Sequence, residues 1–401
     1  MGKSALGVIW SPVGLALVGL GMACSPLKGT PPIDAAQPTG LEISSSTISA
    51  RVGLDGTTQL MAKQDFASQV DPDVTAIATW TSSDPSVATV EQGLVTPVAA
   101  GTSTITASYG GFMATATFTG TTPTMVLTTA TGSIEFFNDP TTAGAGSADR
   151  IITGVDTQLE GFVWEVQVVG SNFYVSAASS GAILEFPLDG SGDIAPLATF
   201  KGSASGITYP LGMRIYNNEL FVAQLQSPSN VEVFEMSDLS AGSADPTPNR
   251  VITGFTEAQS VEIYNNELYV ADPAARVIDV FPIDASGSAT PTRVISGSGT
   301  DFLDPDVVLA YNGELFIGDD ESHEIAVYPP TGSDGASALR RITGNAVPAL
   351  YPTQIRRLGD QLYIVDWQPQ AICHVPIEAT SDVPCTGVLQ QTNEPRGIAF
   401  Y

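Results

Sequence analysis

The chain has 401 residues, room for two or three domains, and carries 15 basic against 42 acidic residues for a net charge of −27. A surface this acidic repels phosphate backbones and anionic lipid, which argues against nucleic acid as a partner. With 39 glycines, 28 prolines and only 14% charged residues, its composition is that of an all-β protein rich in turns.

Residues 1–23 read as a signal peptide. Lys3 provides a positive start, and the apolar stretch "ALGVIWSPVGLALVGLG" is broken by Pro12 and several glycines. The segment ends in "GMAC", which resembles the lipobox of bacterial lipoproteins. That resemblance implies lipidation of Cys24, although Gly21 stands where the family prefers Leu, and "GMA" also suits ordinary cleavage after Ala23. The expectation is an exported lipoprotein held at the membrane by a lipid anchor alone, on the periplasmic side or at the cell surface. A secreted protein is the alternative. No other stretch approaches the ~20 uninterrupted apolar residues of a membrane span. Residues 24–40, rich in Pro, Gly and Ser, read as a flexible tether.

Residues 41–120 alternate apolar and polar positions in short runs separated by turn signals, the pattern of a small β-sandwich. The stretch "ATWTSSDPSVATVEQGLVTPVAAGTSTITASYGG" resembles the group 2 bacterial immunoglobulin-like (BIG2) domain, with Trp80, Asp84, Val87, Val90, Gly93, Val95, Gly101, Thr102, Ile105 and Ala107 on the family pattern. Trp80 is expected to anchor the core, and Asp84, Pro85 and Gly101 to shape turns. The family implies a spacer or adhesion module.

Residues 121–401 repeat at a period of about 47 residues, in the range of propeller blades. Each unit has a first strand, a hairpin such as Asn217-Asn218, Asn265-Asn266 or Asn312-Gly313, an apolar second strand ("ELFVAQ", "ELYVAD", "ELFIGD"), a third ("VEVFE", "IDVFP", "IAVYP") and a fourth ("RVITG", "RVISG", "RRITG"). Five units are complete. The sixth is split: "EPRGIAFY" at Glu394–Tyr401 supplies its first strand, and "TMVLTTA", "SIEFFND" and "AGSADRIITG" supply the others. The pattern resembles NHL-type repeats of six-bladed propellers. The fold expected is therefore all-β: an immunoglobulin-like sandwich followed by a six-bladed propeller whose last blade is closed by both ends of the domain. The Asp that follows the second strand (Asp272, Asp319, Asp366) is expected to accept turn hydrogen bonds.

Strand alternation sets Glu165, Arg214, Glu262 and Arg356 on the face opposite the apolar one, as a mixed-charge lining of the central channel in which mutual pairing is expected. Asp306 is expected to join them. Cys373 and Cys385 lie on runs that would be neighbouring strands; a disulfide between them is the expectation, two buried thiols the alternative. The acidic run Gly318–Glu324 ("GDDESHE") offers carboxylates for Ca²⁺, but it lacks the glycine spacing of an EF-hand loop and lies between two strands, so a solvated hairpin is expected and no cofactor is required. The chain's two histidines, His323 and His374, give a Ser-His-Asp mechanism few openings, and no P-loop, dinucleotide fingerprint or HExxH motif occurs. These features favour a binding or scaffold protein for a protein, carbohydrate or small-molecule ligand. The alternative is an extracytoplasmic propeller hydrolase of the calcium-dependent lactonase or esterase type, with channel carboxylates around a metal.

Overall fold

The computed structural model describes residues 37–401 except 68–69, 141–146, 226, 240–243, 297–301, 344–349, 369, 381–382, 385 and 391–392. The signal peptide, Cys24 and most of the tether lie outside the described residues. The first strand, Pro38–Ile43, begins three residues before the expected boundary and pairs antiparallel with Ala62–Phe66.

A four-stranded sheet orders Thr47–Arg51, Phe112–Thr121, Gly101–Tyr109 and Thr79–Ser82, and a smaller sheet joins Thr58–Gln59, Leu94–Pro97 and Ala88–Glu91. The alternation foreseen in "GTSTITASY" is realised: Ser103, Ile105 and Ala107 are buried, while Thr102 and Thr104 are exposed. Leu60, Val95, Ile105, Ala116 and Phe118 form the centre of this core. Trp80 differs from expectation. It is half-buried, packs at the core's margin, and its indole N–H donates to the Thr75 carbonyl at 2.9 Å. The polar tip of the indole needs a partner, and the turn ahead of its strand supplies one. Asp84 does shape its turn, accepting from the Ser86 amide at 3.0 Å and from its hydroxyl at 2.5 Å.

Beyond residue 121 the described strands form six four-stranded sheets, each with its strands in meander order from the inside out. We number the blades by their inner strands: Val163–Val169, Pro210–Tyr216, Ser260–Tyr264, Pro305–Tyr311, Pro352–Leu358 and Pro395–Phe400. The hairpin asparagines Asn217, Asn218, Asn265, Asn266 and Asn312 all take positive φ, which tight hairpins demand and Asn tolerates. The second strands read as continuous apolar runs because both faces are covered by neighbouring blades. In blade 2, Leu220 and Val222 pack toward blade 1, whereas Phe221 and Ala223 pack toward blade 3.

Blade 6 is completed as expected. Pro395–Phe400 pairs antiparallel with Met125–Thr129, which leads out through Ile134–Phe137 to Arg150–Ile152. Thr124 and Tyr401 exchange both backbone hydrogen bonds, at 2.9 and 3.0 Å. The inner strands contact one another in ring order, with the blade 6 strand between those of blades 5 and 1. A repeated clamp ties successive blades at their outer edges. Arg250, Arg293 and Arg340 pair with Glu219, Glu267 and Glu314 of their own blades and donate to the Ile283, Pro330 and Ile377 carbonyls of the next. The sandwich touches the propeller where Gly359 donates to the Gly53 carbonyl at 2.9 Å and Leu54 packs against the cluster containing Leu358.

Candidate functional site: the two mouths of the central channel

The inner strands all run in the same direction, so the channel has a mouth where they begin and another where they end. Register with the second strands places Gln167, Arg214, Glu262, Leu309, Arg356 and Ala399 at one level. These six residues, one from each blade, line a cavity of about 370 Å³ at the mouth where the strands end, with Leu54 of the sandwich at its rim.

The charges here close on one another. Arg214 donates to Glu262 at 2.8 and 3.2 Å. Arg356 and Gln354 Nε2 donate to Glu165 at 2.7 and 2.5 Å, and Arg214 comes within 4.0 Å of the same carboxylate. Glu165 is 1% exposed. Burial opposes the Arg214 charge, but Glu262 and Glu165 outweigh it and hold its pKa up. Arg356 is pulled down, first by burial and then by repulsion from Arg214. Such a group fixes the geometry of a channel wall and leaves no carboxylate free to act.

Asp306 does not join this group. It sits at the opposite mouth, where a bulge between Pro305 and Val307 takes it out of the strand's alternation. Bulges recur near the starts of four other inner strands, between Val163 and Val166, Pro210 and Met213, Pro352 and Gln354, and where Pro395 to Ile398 face Thr129 to Leu127. Those of blades 1, 2 and 6 are held by hydroxyls near the ends of the second strands. Ser176 Oγ accepts from the Glu165 amide at 2.8 Å and donates to the Leu211 carbonyl at 2.6 Å; Thr128 Oγ1 does the same for Gly397 and the Trp164 carbonyl at 2.8 and 3.0 Å. One residue further along, Asp272, Asp319 and Asp366 end their second strands and accept from the loop amides of Thr256, Leu303 and Tyr351, the turn role foreseen for them.

At this second mouth Asp306 accepts a short hydrogen bond from Gln259 Nε2 and is only 6% exposed. Burial pushes its carboxyl well above the usual range, and Asp320 and Asp304 push it further. Asp304 is pushed up to about 7 by burial and by the neighbouring Asp320 carboxylate. Burial also raises Asp320, whose Oδ2 accepts from the Trp367 indole at 3.3 Å. Beside them Arg396 is enclosed by aromatic rings, its guanidinium carbon 5.2 Å from the centre of Phe162, 5.7 Å from Trp164 and 5.9 Å from Trp367. Tyr351 packs edge-on against Trp367 at 5.9 Å and against His323 at 4.3 Å. The run Gly318–Glu324 is the hairpin expected between two strands, with Glu321 exposed at its turn, but its flanking carboxylates differ from a solvated loop: Asp319 and Glu324 are buried, and Glu324 pairs with Arg341.

Sequence reasoning missed Asp304, Trp367 and Arg396, and reached Asp320 only as part of the acidic run Gly318–Glu324. A usable signal lay one residue before the polar lining set, at Trp164, Leu211, Gln259, Asp306, Thr353 and Arg396, where an otherwise regular unit loses its residue type. Trp164 and Trp367 are also the propeller's only tryptophans, and both come to this mouth.

Cys373 is disulfide-bonded, and Cys385 lies outside the described residues. His374 is half-buried within its strand, its Nδ1 3.2 Å from Gln361 Oε1. Among the described residues the one carboxylate trio whose ligand atoms lie within 4.8 Å of one another is Glu42, Asp65 and Asp71, on the sandwich and away from the channel.

Residues 39–118 match the family model of the bacterial Ig-like domain (group 2). No curated protein matches the chain in sequence. Among solved structures it is similar to a protein of unknown function from Bacteroides caccae, at 13% identity and a TM-score of 0.51, covering 69% of this chain and 98% of that one. It also aligns with a chain of a nidogen/laminin complex (15% identity, TM-score 0.48, 69% and 98% covered) and a functionally unknown protein from Desulfotomaculum acetoxidans (13%, 0.47, 69% and 98%). At this identity the likeness speaks to the propeller fold alone.

Proposed function

We propose that the chain is an exported, lipid-anchored binding protein that uses its propeller as the ligand platform, with the immunoglobulin-like module set against one mouth of the channel. The observation that carries this reading is the pairing of the channel charges. Glu165 and Glu262, which a metal-centred hydrolase would need free, each hold an arginine instead. The immunoglobulin-like match supports a role outside the cytoplasm, since such modules belong to extracytoplasmic bacterial proteins.

The test uses protein expressed with its own leader. Mass spectrometry of the mature N-terminus should find lipid on Cys24; an unmodified Cys24 would remove the anchor from the account. The purified protein should show no turnover of an ester and lactone panel with or without calcium. Calcium-dependent turnover that disappears in Glu165→Gln or Glu262→Gln would establish the hydrolase instead.

A further inference from the structure

The mouth where the inner strands begin has a composition that the paired channel wall does not explain. It presents acceptors at Asp304, Asp306 and Asp320, and a buried donor at Arg396. The Arg396 side chain is only 9% exposed, its Nη2 reaches Glu394 at 3.3 Å, and among the described residues its Nε has no hydrogen-bond partner. A buried guanidinium N–H without a partner costs stability, on the order of 1–3 kcal/mol, and is retained where something else can satisfy it. His323 Nδ1, which adjoins Tyr351 on the same side, is a second buried nitrogen with no hydrogen-bond partner among the described residues. Around these groups stand the faces and edges of Phe162, Trp164 and Trp367, with Phe162 37% exposed.

The chemistry of a matching ligand follows from the mixture. A simple cation would meet the Arg396 charge among the aromatic rings. A simple anion would meet the acceptor oxygens of three clustered carboxyl groups, Asp304, Asp306 and Asp320, beside a single guanidinium. A hydroxyl group both donates and accepts, so it satisfies a carboxylate and a guanidinium N–H at once. Flat aromatic walls next to such polar groups complete a site of few convergent hydrogen bonds and large apolar contact. We propose that this mouth, built by Asp304, Asp306, Asp320, Trp367 and Arg396, binds a neutral polyhydroxylated ligand, a carbohydrate. This assignment rests on reading the propeller as a binding platform and names the ligand class of that platform.

The experiment is a printed array of microbial, plant and animal glycans, with neutral, anionic (polygalacturonate, heparin) and cationic (chitosan hexamer) members, probed with the full mature chain. The expected result is retention of neutral glycans, followed in solution titration by at least a tenfold loss of affinity in Trp367→Ala and in the isosteric Asp320→Asn. Asp320→Asn keeps the shape of a half-buried group, so it serves where the tryptophan variant fails to fold. Three results overturn the assignment: no neutral glycan retained, retention of charged members only, or affinity unchanged in Asp320→Asn. Hydrolase turnover in the ester and lactone panel would overturn the underlying binding reading, whereas an empty array without turnover overturns only the ligand class.

Discussion

At the scale of single residues, the two mouths show what a buried carboxylate does with and without a cation. Glu165 is satisfied by Arg356 and Gln354. Asp304 lies against Asp320 with no arginine pair among the described residues, and its pKa rises to about 7. The consequence for stability has a definite sign. A carboxyl whose folded pKa lies above its unfolded value of ~4 binds more protons when folded, so stability falls as pH rises from ~4 through about 7. Asp304→Asn should therefore raise the melting temperature more at pH 8, where the folded carboxyl is ionised, than at pH 5, where Asp304 keeps its proton in the folded state. Calorimetry at the two pH values checks this, and an equal shift at both would contradict it.

At the scale of elements, the features set by local rules were legible in the sequence. Asn-Asn hairpins, continuous apolar second strands and the split sixth blade follow from turn chemistry, from burial on both faces and from edge closure. The charged lining was legible as well, because Glu165, Arg214, Glu262 and Arg356 fall on one phase of strand alternation. That phase fails where a bulge inserts a residue, which sets Asp306 at the other mouth from Arg214 and Glu262 and hides Arg396 from the pattern. Asp304, Asp320 and Trp367 lie outside the inner strands, so only the three-dimensional meeting of hairpins and loops brings them to the mouth. The bulges are packed tightly: a Cβ on Gly397 would lie 2.2 Å from the Trp164 carbonyl and 2.7 Å from Thr128 Oγ1. Gly397→Ala must push the closing strand away from blade 1, at a cost of about 1–3 kcal/mol as an overpacked site. A urea titration should show a lower midpoint with this variant; an unchanged midpoint would mean that the ring closure is loose.

At the scale of the whole molecule, the channel is asymmetric. One end is walled by paired charges and rimmed by Leu54 of the sandwich, so the immunoglobulin-like module is more than a distant stalk. The other end gathers the propeller's two tryptophans, an incompletely satisfied arginine and three carboxyl groups. The central claim is that ligand binds at this second mouth. Tryptophan fluorescence reads it directly, because Trp164 and Trp367 stand there while Trp80 lies in the sandwich. Titrating the mature chain with a glycan retained on the array should shift tryptophan emission saturably, and Trp367→Phe should remove most of that shift. A saturable shift that persists in full when both Trp164 and Trp367 are phenylalanine would place binding elsewhere and contradict the account.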